Sequence, residues 1–148
     1  MERLPYIDVH EVEVDADADR AWRAVVRVVR GSFGGADRAR VAQLLRAEPA
    51  AESGSWSPDL EEGAAVPGFA VKAARRAELL SLRGQHRFSR YRLDFEVAPA
   101  GPDRSYVRAR TSAEFPGVAG AAYRALVIGS GGHRLVVRRM MRRIAATA

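Results

Sequence analysis

The stretch "GVAGAAYRALVIGSGGHRLVVRRMMRRI", residues 117–144, begins apolar, is broken by glycine and ends crowded with arginine. A membrane helix, a nucleic-acid arm and a lid packed over an interior would all look something like this. A membrane span needs about 20 uninterrupted apolar residues, and the run between Arg124 and Arg134 is far shorter. Wound as a helix at ~100° per residue, the segment places Val118, Ala122, Ala125, Leu126, Gly129, His133, Val136, Val137, Met140 and Ile144 in one stripe. Arg124, Arg134, Arg138 and Arg142 lie outside it, so the stripe has to cover something. Gly129, Gly131 and Gly132 cost a helix interior about 1 kcal/mol each relative to alanine. Close approach to a sheet, a kink that opens space beneath the helix, or a break between two helices would each explain them.

A surface for the stripe is encoded upstream. In "RYRLDFEV", Tyr91, Leu93, Phe95 and Val97 alternate with Arg90, Arg92, Asp94 and Glu96, the pattern of an antiparallel strand with one dry and one wet face. In "SYVRARTSAEF", Val107, Ala109, Thr111, Ala113 and Phe115 alternate with Tyr106, Arg108, Arg110 and Glu114. "FAVKAARRAELLSLRG" predicts one or two further strands, with a turn at Gly84 and a bulge near Ser89, where Phe88 falls out of phase. Near the N-terminus His10, Val12 and Val14 alternate with Val9, Glu11 and Glu13 in a short strand. Asp15 or Asp17 then caps a helix whose Ala18, Trp22, Val25, Val26 and Val29 share a face and which Gly31 stops. Residues 37–46 predict a second short helix presenting Val41, Leu44 and Leu45. Residues 47–68 are loop, with one short strand near Leu60 and with Trp56 docked on the body as an anchor.

A chain of 148 residues fits one domain over 1–148. Its balance of 47% hydrophobic to 28% charged residues is ordinary for a soluble globular protein. Cysteine is absent, which excludes disulfides and thiolate chemistry, and no apolar run opens the sequence as a signal peptide would. A cytoplasmic address is the expectation. The net charge of +6 invites a nucleic-acid reading, yet Lys72 is the only lysine among 24 basic residues and the arginines come in scattered pairs. Arg138, Arg139, Arg142 and Arg143 read as a solvated face, and no specific nucleic-acid partner is expected.

The order strand, two short helices, antiparallel strands and long amphipathic helix resembles the START-like superfamily. The residues that carry the likeness are "VEVDADADRAWRAV", "RYRLDFEV", "TSAEFPG" and "AYRALVIGSGGHRLVVRRMMRRI". The first resembles the usual opening of that superfamily, which includes aromatic polyketide cyclases and plant pathogenesis-related allergens, and the others resemble uncharacterised actinobacterial members labelled SRPBCC. The resemblance covers nearly the whole chain and is weakest over 47–68. It implies an α+β helix-grip fold, a curved antiparallel β-sheet wrapped around a long C-terminal α-helix, with two short helices after the first strand. It also implies a cavity between sheet and helix that takes an apolar or aromatic small molecule.

Small inward residues on the last strand face Ala122, Ala125 and Gly129, which leaves either close packing or a space of a few hundred Å³. The candidates to line that space are Leu93, Phe95, Val107, Ala109, Thr111, Leu126, Gly129, His133 and Met140. His133 would be the polar contact for a ligand, or the acid/base of a cyclase- or dehydratase-type enzyme acting on a polyketide-like substrate. A half-buried histidine bonded to a backbone carbonyl is the plain alternative. His86 is read as facing solvent, and Tyr91 and Tyr123 as core residues or pocket walls. With only His10, His86 and His133, no metal-ligand spacing appears, so neither a metal nor a cofactor is expected. Whether the chain forms a homodimer is left open.

Overall fold

The computed structural model of the chain describes every residue except 1–5, 35–39, 41, 50–52, 57–59, 61 and 130. Its elements begin with β1 (Tyr6–Val14), α1 (Ala18–Phe33), β2 (Ala65–Val66), β3 (Phe69–Arg75) and β4 (Leu79–His86). They continue with β5 (Ser89–Gly101), β6 (Arg104–Glu114), α2 (Gly117–Arg124), a π-helical turn (Ala125–Gly129) and α3 (Gly132–Thr147). The six strands form one antiparallel sheet in the order β1-β6-β5-β4-β3-β2. Hairpins link β2 through β6 in sequence, and β1 closes onto β6. No helix among the described residues is long and apolar enough to cross a membrane.

The alternation in β5 and β6 becomes one buried face through the register. Leu93 pairs with Thr111, Phe95 with Ala109 and Val97 with Val107, and all six are buried. Against this face pack α1, through Trp22, Val25, Val28 and Val29, and α3, through Val137, Met140, Met141 and Ile144. Each fully buried large side chain there contributes about 1.5–3 kcal/mol. Asp17 is the cap of α1, its carboxylate accepting from the Arg20 backbone N–H at 2.8 Å. Trp56 is buried and its indole N–H donates to the Ala65 carbonyl at 3.0 Å, so the loop that carries it is pinned to the body.

The structure corrects the sequence reading at several points. Of the explanations the glycines left open, the break between two helices is the one observed. A π-helical turn runs from Ala125 to Gly129, and Gly131 caps α3 in the left-handed region at φ +80°. A π turn adds a residue to the hydrogen-bonded ring and so rotates the wheel, and the left-handed residue resets it. The stripe therefore holds only from His133 onward, and there only in part. Leu126 is 70% exposed, Val118 90% and Val136 51%, where all three were expected inside. Ala122 and Ala125 are exposed as well, while Met141, outside the expected stripe, is buried.

Gly31 does not end α1, which continues to Phe33 for 16 residues. Gly84 is not a turn but lies within β4, opposite Tyr91, and no bulge occurs at Ser89. Phe88 is out of phase because it sits in the hairpin turn between His86 and Ser89. The short strand is Ala65–Val66, later than Leu60. Of the second helix, residues 40 and 42–44 are helical, whereas Asp37 and Val41 fall outside the described residues.

Met140 is 2% exposed beneath α3, so Met140→Ala is expected to cost about 2–5 kcal/mol. Leu126→Ala should cost less than about 0.5 kcal/mol. Chemical denaturation of the two variants separates them, and equal losses would return Leu126 to the core.

Candidate functional site

Helices α1 and α3 fill the inner face over Val107, Ala109, Phe95 and Leu80, leaving its other end uncovered by them. A cavity of about 300 Å³ lies there. Its floor is Tyr91, Ser89, His86, Thr111 and Ala113 from the sheet, and Tyr123, Ile128 and His133 roof it from α2, the π turn and the start of α3. Phe33 at the end of α1, with Ala42, Leu45, Ala47, Pro67, Gly68, Phe69 and Phe115, completes the wall.

The wall is built of touching rings. Phe33 and Phe69 stand 4.5 Å apart between centroids, and Phe69 and Tyr91 5.0 Å apart. His86 meets the edge of Tyr123 at 4.8 Å, and Tyr123 stacks on Phe88 at 5.2 Å. Gly84 makes this packing feasible. A Cβ there would lie 1.8 Å from the Gly68 carbonyl oxygen and 2.6 Å from the Tyr91 ring. In the space it leaves, the Tyr91 hydroxyl donates to that carbonyl at 2.6 Å. Burial, reinforced by Tyr123, pushes the Tyr91 hydroxyl pKa far up, and burial raises Tyr123 as well. Both hydroxyls stay protonated.

Two histidines border the cavity. His86, expected in solvent, lines it. Its Nδ1 accepts the Phe88 backbone N–H at 3.0 Å, and its Nε2 lies 3.1 Å from Ser89 Oγ. His133 sits with its Nε2 3.1 Å from Thr111 Oγ1 and 3.5 Å from Asp8 Oδ1. Asp8 pairs with Thr111 across β1 and β6, and its other oxygen is 3.4 Å from His10 Nε2. Asp8 Oδ1 accepts no hydrogen bond among the described residues, so His133 is its polar neighbour. No cluster of three metal-ligating side chains occurs among the described residues.

Of the residues expected to line the space, Thr111 and His133 border this cavity. Leu93, Phe95, Val107, Ala109 and Met140 lie in the filled core next to it. Leu126 points away from the interior, and Gly129 ends the π turn. Sequence reasoning missed Phe33, Phe69, His86 and Ser89. The signal for the last two was available in the alternation of "HRFS", had its middle been taken as the turn.

This arrangement of one antiparallel sheet with helices packed on it recurs in solved structures. A START superfamily protein from Mycobacterium smegmatis aligns at TM-score 0.54 and 15% identity, over 95% of this chain and 97% of that one. The chain has the START-like, helix-grip fold. Norcoclaurine synthase from Thalictrum flavum, in complex with dopamine and hydroxybenzaldehyde, shares the helix-grip fold at TM-score 0.51 and 16% identity, over 90% and 82% of the two chains. DynU16, a protein of the dynemicin biosynthetic locus, aligns at TM-score 0.51 and 17% identity, over 90% of this chain and 45% of that one. No family model and no curated protein matches the sequence.

Gly84→Ala is expected to destabilise the protein by about 1–3 kcal/mol through overpacking, measurable by denaturant titration. The Tyr91–Gly68 hydrogen bond should be lost with it. A second expectation concerns pH. Burial pushes His86 below its ordinary value of 6.5, so the unfolded chain takes up the proton first. The contribution of His86 to stability is therefore complete above pH 6.5 and is lost as pH falls through the folded value. Melting temperatures between about pH 7.5 and 5 should fall more steeply for the wild type than for His86→Gln, and parallel slopes would refute the assignment.

Proposed function

We propose that this protein binds an uncharged apolar or aromatic small molecule in the cavity between the sheet and the C-terminal helical segments. The lining carries this reading. In a chain with 24 basic and 18 acidic residues, no Arg, Lys, Asp or Glu among the described residues borders the cavity. A charged ligand would give up its hydration there without an ionic partner, which is costly. A flat apolar ligand would meet rings on several sides and a few placed polar groups, the usual make-up of a small-molecule pocket. The fold supports the same direction, since norcoclaurine synthase has been crystallised with two aromatic molecules. Phe33, Phe69, Tyr91 and Tyr123 would hold the ligand, Ser89, Thr111 and His133 would be its polar contacts, and Leu93, Phe95, Val107, Ala109 and Met140 would support the wall from beneath.

A fluorescence titration with N-phenyl-1-naphthylamine, an uncharged apolar probe, tests the proposal. Wild type should bind it with micromolar affinity. Ala113→Phe, which fills the cavity from β6, should weaken binding at least about tenfold, a loss of about 1.4 kcal/mol, while retaining a cooperative melt. Equal binding by the two proteins would place the probe elsewhere and reject the site.

A catalytic role is the second reading, and one observation favours it. His133 stands at the cavity edge with a carboxylate, Asp8, 3.5 Å from its Nε2, an arrangement that would orient the ring. The activity would be acid/base chemistry of the cyclase or dehydratase kind on a polyketide-like substrate. Mass spectrometry of protein purified under native conditions separates the two readings. A bound aromatic molecule whose mass stays constant on incubation supports binding alone. Conversion of that molecule, slowed about 100-fold or more in His133→Ala, supports catalysis.

A further inference from the structure

Ser89 opens β5 directly opposite His86, is 3% exposed and borders the cavity. A serine oxygen 3.1 Å from a histidine Nε2 invites comparison with a nucleophile and its base. The hydrogen-bond directions exclude that pairing. The Phe88 backbone N–H donates to His86 Nδ1 at 3.0 Å, and a neutral imidazole that accepts at Nδ1 carries its proton on Nε2. His86 therefore donates to Ser89 Oγ and cannot take the serine proton. Protonating the ring would set a second N–H against the Phe88 amide.

A hydroxyl has one hydrogen and two lone pairs. With His86 on a lone pair of Ser89, the hydrogen remains, and among the described residues no acceptor receives it. Tyr91 is the reverse case. Its hydrogen is committed to the Gly68 carbonyl at 2.6 Å, so it offers a ligand only lone pairs.

We propose that Ser89, held in place by His86, is a hydrogen-bond donor built into the cavity that selects uncharged aromatic ligands carrying a carbonyl or similar acceptor oxygen. This inference rests on the binding reading above and adds a polarity to it. The ligand class is an aromatic ketone, aldehyde or quinone, oriented with its oxygen toward the β4–β5 turn and its ring between Phe69 and Tyr123.

The matched probes fluorene and fluorenone share a skeleton and differ in the carbonyl. Wild type is expected to bind fluorenone about two- to tenfold more tightly than fluorene, the effect of one buried hydrogen bond. The infrared carbonyl stretch of bound fluorenone should move to lower frequency than in an apolar solvent. Ser89→Ala should erase the preference and the shift while fluorene affinity stays within about twofold. If that variant loses its cooperative melt, Ser89→Cys, nearly isosteric with a weak S–H donor, should also erase them. Binding of both probes without preference, or a preference that survives either folded variant, overturns the assignment of Ser89. Failure of wild type to bind either probe overturns the binding reading itself.

Discussion

The π-helical turn at Ala125–Gly129 and the left-handed Gly131 that follows it divide the C-terminal chain between two tasks. Beyond the break, α3 is an ordinary amphipathic helix that buries Val137, Met140 and Ile144 and seals one end of the sheet. Before it, α2 and the π turn carry Tyr123 and Ile128 over the other end without filling it. A single straight helix would have kept one phase along its length and brought the same stripe down on the whole face. The change of phase leaves the aromatic end of the sheet roofed but hollow, so the glycines that weaken the helix are also what permits a cavity.

The sheet was legible in the sequence because one of its faces is wet. Arg92, Asp94 and Glu96 alternating with Leu93, Phe95 and Val97 leave only one register that buries the apolar set, and the observed pairing of β5 with β6 is that register. The apolar face of helix α1 was legible for the same kind of reason, with Asp17 one of the two caps offered, although the helix runs past Gly31 to Phe33. The C-terminal helix was legible only beyond the break, where Val137, Met140 and Ile144 are buried as expected. A wheel assumes a constant rotation per residue, and nothing local in "ALVIG" announces the π turn that turns Leu126 outward. Gly84 was misread for a different cause. Its lack of a side chain serves a contact with Tyr91 and Gly68 that is distant in sequence, and taking it for a turn displaced His86 into solvent. Local rules fail where a glycine is required by tertiary packing.

The cavity holds two histidines in opposite chemical situations. Both ring nitrogens of His86 are engaged, one by the Phe88 amide and one by Ser89, so its tautomer is fixed and burial disfavours its protonation. Such a residue transmits direction to its neighbours and cannot exchange protons easily. His133 has Thr111 and Asp8 near a single nitrogen, Nε2, and the buried Asp8 oxygen facing it accepts no hydrogen bond among the described residues. The first arrangement suits recognition of a neutral molecule, and the second is what acid/base chemistry would need. They sit on opposite sides of the same aromatic space, Ser89 and His86 at the β4–β5 turn, Thr111 and His133 toward β1. A ligand held by its acceptor oxygen at the first pair would extend its other end toward the second. If the proposed binding holds, the donor that orients a ligand would also decide which of its atoms comes before His133.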